Sequence, residues 1–393
     1  MKTLVCLALA ASAMALLAPS DAALAARALV GTYTPGPPGS RSDNHGEGIY
    51  LVETDARTGA PGKPKLVAKT ASPSWMALSA NGKFLYAINE VSDYGPEKTG
   101  AVTAFAVAAN GALKSLGTVS SGGAGPAYIA LHPSGKFALV ANYGGGSFAV
   151  IRIRPDGSLG EISDVVKPQG PLNPPTAADN PPGQLAASSH GGSRGHMIGM
   201  DPGGKYVIGD DAGRDQIFVW TLDTASGKLH EVSVTKSLPG SAPRHFVFAP
   251  DGKTMYQLQE QDSRLATYGF AGGKLTQKGP TISMLPTGYE GSNTGSELLI
   301  DKGGKHLYAA NRTQDSIATF AIGANGMPAK ISNVPTEADN PRSLSLSPDG
   351  KYLYSLNQRG DNITTFRIGP DGVPKFTGHY RALGSPAVMV FLP

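Results

Sequence analysis

Asp349-Gly350-Lys351-Tyr352-Leu353-Tyr354 is a tight turn running directly into an apolar-aromatic strand, and the same local signal recurs along the chain. Other copies are Asn81-Gly82-Lys83-Phe84-Leu85-Tyr86, Ser134-Gly135-Lys136-Phe137, Gly204-Lys205-Tyr206, Asp251-Gly252-Lys253 and Gly304-Lys305-His306-Leu307-Tyr308. A second pattern, a strand of period two, begins at Gly48, Gly100, Gly146, Asp215, Arg264, Asp315 and Asp361. A third, a hairpin turn, centres on Gly59, Gly111, Gly157, Gly227, Gly273, Gly326 and Gly372, with successive gaps of 52, 46, 70, 46, 53 and 46 residues. Alternating strands joined by Asn-Gly, Asp-Gly and Ser-Gly turns are hairpin signals. A unit of about 50 residues holding four short strands has the size and content of a propeller blade. The expectation is an all-β, seven-bladed β-propeller with four-stranded antiparallel blades.

Ring closure is also legible. Blades open with strands such as Pro73-Ser74-Trp75-Met76-Ala77-Leu78 and Pro243-Arg244-His245-Phe246-Val247-Phe248. The first blade lacks that strand and starts at Leu29-Val30-Gly31-Thr32-Tyr33, whereas Pro386-Ala387-Val388-Met389-Val390-Phe391 stands unused at the far end. The C-terminal strand is therefore expected to complete the N-terminal blade and remove two free sheet edges. The gap of 70 contains residues 168–195, rich in Pro, Gly, Ala, Ser and Asn. Loops this long are either loose insertions or walls and lids beside a site, and both readings stay open here.

Of the 393 residues 40% are hydrophobic and 16% charged, and Gly (51) and Pro (31) together stay below the level of a disordered chain. A net charge of +4 without a basic run gives no reason to expect nucleic acid as a partner. Lys2, the apolar run Leu4 to Leu17, Pro19 and Ala23-Leu24-Ala25 form the pattern of a secretory signal. We expect residues 1–25 to be removed and 26–393 to be the propeller, periplasmic or secreted, without a membrane span. The single cysteine, Cys6, lies in the removed segment and too early for lipid attachment, so no thiol chemistry is expected.

Comparing blades separates scaffold from site. After the second strand of each blade stand Tyr33, Glu90, Tyr143, Asp211, Glu260, Arg312 and Gln358, often preceded by Asn. Near the start of the innermost strands stand Trp75, Tyr128, His196, Arg244, Glu297 and Arg342. Both sets lie at the same end of a blade and should converge on one mouth of the central channel. The Asn residues suit turn capping. A His, carboxylates and several Arg on one face suit opening of an anionic ring ester. Glu260 or His196 would move the proton, while Arg244 and Arg312 would hold a carboxylate or phosphate and stabilise an oxyanion. Gly191-Gly192-Ser193-Arg194-Gly195 matches G-x-S-x-G but ends a loop before a strand, the wrong context for a nucleophile elbow. His190 and His196, six apart, fit no metal pattern, and Asp210-Asp211 alone is slight evidence for calcium.

At Ala141-Asn142-Tyr143-Gly144-Gly145-Gly146-Ser147, Gly195-His196-Met197, Pro243-Arg244-His245, Ser296-Glu297-Leu298 and Asn311-Arg312 the chain resembles the seven-bladed propeller lactonases of the 6-phosphogluconolactonase and carboxymuconate-cyclase group. The resemblance runs from Val30 to the C-terminus. It implies His196, Arg244, Glu260 and Arg312 as catalytic residues and no metal or other cofactor. Tyr143, Glu90, Asp211, His245, Glu297 and Arg342 are the expected substrate-binding residues. One departure is Arg194, where the family usually has the first His of His-x-His. The substrate implied is a small-molecule lactone or anionic sugar acid, taken by a monomer or weak dimer. Other readings are a non-catalytic exported propeller that binds a ligand or protein, a carboxymuconate-type lactonising cycloisomerase, and a calcium-dependent gluconolactonase, the last disfavoured by seven repeats.

Overall fold

The computed structural model describes residues 26–36 and 43–393, so the expected signal segment lies outside the described residues. Among these residues every regular element is a strand. The strands form seven antiparallel sheets, each a blade. The innermost strands are Pro386–Phe391, Met76–Leu78, Pro126–Leu131, Gly195–Met200, Pro243–Phe248, Gly295–Ile300 and Pro341–Leu346, and each packs against its neighbours around the ring. The second blade's inner strand is shorter than the sequence suggested, and Trp75 precedes it. In the fifth blade the outer strand is broken into Lys274–Gln277 and Ile282–Ser283, both paired with Arg264–Ala271.

Closure is as expected. Leu29 faces Val390, Val30 faces Met389 and Gly31 faces Val388, so the chain's last strand is the inner strand of its first blade.

The recurring motifs now have physical jobs. The hairpin glycines, from Gly59 to Gly372, all have φ between 71° and 82°, which side-chain-bearing residues avoid. The aromatic hydroxyl of a second strand reaches the hairpin of the next blade. Tyr86 donates to the Gly157 carbonyl (3.0 Å), Tyr308 to Gly372 (3.1 Å) and Tyr354, across the closure, to Gly59 (3.0 Å). At the opposite end Asp215, Asp315 and Asp361, with φ of 53°, 52° and 49°, accept backbone N–H groups of the linker to the following blade. The apolar core is distributed between blades. One cluster joins Phe137, Phe148, Ile198 and Trp220, and another joins Ile208, Phe246, Met255 and Tyr268.

Residues 167–194 form no strand but are tied down. Gln184 donates to the carbonyls of Gln261 (2.8 Å) and Asn293 (2.6 Å), and Gln261 donates back to Ala186 (2.9 Å). The insertion is therefore held against the fifth and sixth blades.

Candidate active site

Six of the seven inner strands carry a register shift near their start. Gly195 pairs with Asp211 and Met197 with Asp210, which leaves His196 as an extra, bulged residue. Arg244 and Arg342 occupy the same bulge in their blades, and Ala127 and Ala387 occupy it in two others. A bulge re-aims its side chain. It directs His196, Arg244 and Arg342 to the mouth and sends the following residue deeper into the channel. This corrects the sequence reading, which placed Trp75, Tyr128 and Glu297 in one register with His196, Arg244 and Arg342. The structure shows two layers. Aligning the blades on the Pro or Gly before each bulge would have separated them.

Glu260 is the centre of the upper layer. Its Oε2 lies 2.9 Å from Arg244 Nε and its Oε1 lies 3.0 Å from Arg312 Nη2. Ser188, delivered by the insertion, donates to Oε1 at 3.0 Å. Sequence comparison between blades could not find Ser188, because it belongs to no repeat. Burial pushes the Glu260 carboxyl up, but Arg312, Arg244 and Arg342 outweigh it, and the pKa ends below the usual value. Glu260 is thus a fixed carboxylate that aligns two guanidinium groups. Burial, and then the charges of Arg342 and Arg312, pull the Arg244 pKa down.

His196 is only 4% exposed, and its Nδ1 is buried without a hydrogen-bond partner. Its ring meets Tyr143 edge-on at 5.6 Å and His245 at 5.1 Å. Burial, followed by the positive charge of Arg244, drives its pKa well below 6.5. Both causes favour the neutral imidazole.

A second polar group stands across the mouth. Arg342 Nη2 donates to the Tyr33 hydroxyl (2.7 Å), which donates to Glu90 Oε2 (2.7 Å), and Ser74 donates to the same oxygen (2.5 Å). Glu90 and Arg342 therefore come together with each other and Tyr33 rather than with Glu260. Arg194 lies over the Tyr143 ring at 5.7 Å and donates to Ser189 and to the Gly144 carbonyl.

Three expected contacts are elsewhere. Asp211 does not face the mouth. It accepts the backbone N–H groups of Arg194, Gly213 and Arg214 and the Ser193 hydroxyl, so it ties its own loop to the end of the insertion. That bond also engages the serine of the G-x-S-x-G match. His245 and Glu297 belong to the lower layer. The Trp75 and Tyr128 rings stack at 4.4 Å, His245 meets both edge-on, and its Nδ1 lies 2.9 Å from Glu297 Oε1. These four side chains plug the channel beneath the mouth. Below them is a cavity of about 260 Å³. Among the described residues no group of three or more His, Cys, Asp or Glu could hold a metal ion.

The capping role read for the Asn residues agrees with their contacts, as Asn142 donates to the Ser121 carbonyl (3.0 Å) and Asn311 to that of Met284 (3.1 Å).

Comparison with known proteins identifies the family. The family described as lactonase, 7-bladed beta-propeller, matches residues 27–391. The 6-phosphogluconolactonase of Bacillus subtilis is 30% identical over 323 residues, covering 81% of this chain and 84% of that protein. That of Formosa agariphila is 28% identical over 326 residues, 81% and 86% of the two chains. The solved structure of the Pseudomonas aeruginosa periplasmic gluconolactonase superposes with a TM-score of 0.82 at 27% identity, covering 94% of this chain and 99% of that one. The chain belongs to the seven-bladed β-propeller lactonase family.

Proposed function

We propose that this protein is a lactonase that opens a sugar-acid lactone at the Glu260 mouth by metal-independent acid–base chemistry. The observation that carries the reading is the buried His196, whose Nδ1 has no hydrogen-bond partner, together with the Arg244–Glu260–Arg312 cluster. His196 takes a proton from water as the water oxygen adds to the ring carbonyl carbon. The carbonyl oxygen becomes an oxyanion, which Arg244 and Arg312 stabilise. When the ring C–O bond breaks, the alkoxide leaving group takes the proton back from His196. It stays tethered as a hydroxyl of the product acid, so no covalent nucleophile is needed. Glu260 is unsuited to the base role, because two guanidinium groups hold it ionised and engaged. Relatives named for 6-phosphogluconolactone and gluconolactone opening support this substrate class. The N-terminal signal pattern and the periplasmic relative support an exported enzyme acting on an unphosphorylated lactone.

The test is a pH-stat assay of residues 26–393 on glucono-δ-lactone and on its 6-phosphate, with EDTA and against spontaneous opening. We expect turnover that survives EDTA and falls at least about tenfold in Arg312→Ala, on the order of 1.4 kcal/mol. No rate above background on either compound overturns the proposal and leaves a ligand-binding propeller.

A further inference from the structure

Arg244 has a second brace, on the side away from Glu260. Its Nη1 lies 3.2 Å from His245 Nε2, while His245 Nδ1 lies 2.9 Å from Glu297 Oε1. A guanidinium nitrogen can only donate, so His245 Nε2 must be the acceptor. The proton of the neutral ring then sits on Nδ1 and is donated to Glu297, whose Oε1 also accepts the Leu298 N–H at 3.0 Å. Arg244, His245 and Glu297 are 1%, 2% and 3% exposed, so the chain of contacts is shielded from bulk solvent. Packing fixes the ring plane, with Trp75 and Tyr128 at 5.3 and 5.4 Å and His196 at 5.1 Å. Burial and the charge of Arg244 also oppose protonation of His245. The other tautomer would aim an N–H at Nη1 and repel it.

We propose that the Glu297–His245 pair is a positioning device, which locks one imidazole tautomer so that Arg244 is held in place for the lactone carbonyl. The proposal rests on the lactonase reading of Arg244. It replaces the expectation that His245 and Glu297 touch substrate, and it gives a deep, buried layer a task in the chemistry above it. Misplacing such a group by about 1 Å can cost about a hundredfold in rate.

The experiment is a double-mutant cycle in the pH-stat assay. His245→Phe should lower kcat at least about tenfold with little change in KM, and His245→Gln, which restores an acceptor, should recover most of the loss. Because His245 acts only through Arg244, the double variant should be no slower than Arg244→Ala alone. Additive losses, or a native kcat in His245→Phe, overturn the proposal. Native turnover in Arg244→Ala instead overturns the active-site reading beneath it. Should His245→Phe fail to fold, Glu297→Leu against Glu297→Gln gives the same comparison, with Gln keeping the acceptor and the rate. Nitrogen-15 spectra of the native protein should show His245 protonated at Nδ1 and bare at Nε2, and the reverse tautomer sinks the idea.

Discussion

His196 and Glu260 are both buried at one mouth, and their surroundings move them to the same end, readiness at neutral pH, by different means. His196 loses its charged form through burial and the Arg244 charge. Glu260 keeps its charged form because the arginines outweigh burial. The division of labour predicts a pH profile. A base that protonates only well below 6.5 leaves kcat/KM level as pH falls through 6.5, with the acid limb at lower pH. His196→Gln should lower kcat by about a hundredfold or more. A profile already falling at pH 7, after subtraction of spontaneous opening, would assign the base elsewhere. Before the structure is seen His196 and Glu260 are equivalent candidates, since residue type and register say nothing of which one faces two guanidinium groups.

At the scale of the element, two devices recur. The tyrosine-to-hairpin bonds join each of several blades to the next, and the start-of-strand aspartates fasten the incoming linker. Closure depends on one further element, the strand Pro386–Phe391. Val388 and Met389 are 4% and 5% exposed, and Leu392 donates its N–H to the Arg27 carbonyl at 2.7 Å. Removing residues 386–393 exposes the edge of Ala26–Thr32 and the apolar faces on both sides. We expect no cooperative melt by circular dichroism and aggregation through the bared edge. A soluble truncation with an unchanged Tm would show that the ring does not need this strand. The insertion at 167–194 is an element of the other kind, without a repeat to interpret it. Only its contacts with Gln261 and Asn293 reveal that it walls the site and presents Ser188.

For the whole molecule, buried carboxyl groups away from the mouth contribute to the response to pH. Burial pushes Asp210 and Asp262 up to about 8. The unfolded chain releases these protons near pH 3.9, roughly the ordinary aspartate value. Between that value and about 8 the native state therefore binds more protons than the unfolded state, and stability falls as pH rises. Each group contributes on the order of 1 kcal/mol per pH unit in that window. Asp210→Asn should gain on the native protein in urea denaturation as the pH is raised from about 5 to about 8. A constant difference between the two across that range would refute the linkage.

What the chain determines by itself is the repeat. Turn glycines, period-two strands and the strand missing from one end and present at the other are short-range signals, and together they specify seven blades and their closure. The polar residues that gather at one mouth were legible by the same comparison between blades, because the top of every blade points the same way. The layering was not. One bulged residue at the start of an inner strand decides whether a side chain lies at the mouth or a layer deeper, and a bulge is a property of pairing between two strands. Asp211 shows a related limit, since it pairs with Gly195 as Gln259 pairs with Pro243, one position short of Glu260's register, and its carboxylate is taken up by the backbone N–H groups of Arg194, Gly213 and Arg214. His245 illustrates it from below, one position past Arg244 in the chain and a layer deeper in the fold. Tertiary structure alone could settle such cases, because a side chain's charge and aim depend on which groups from other blades surround it.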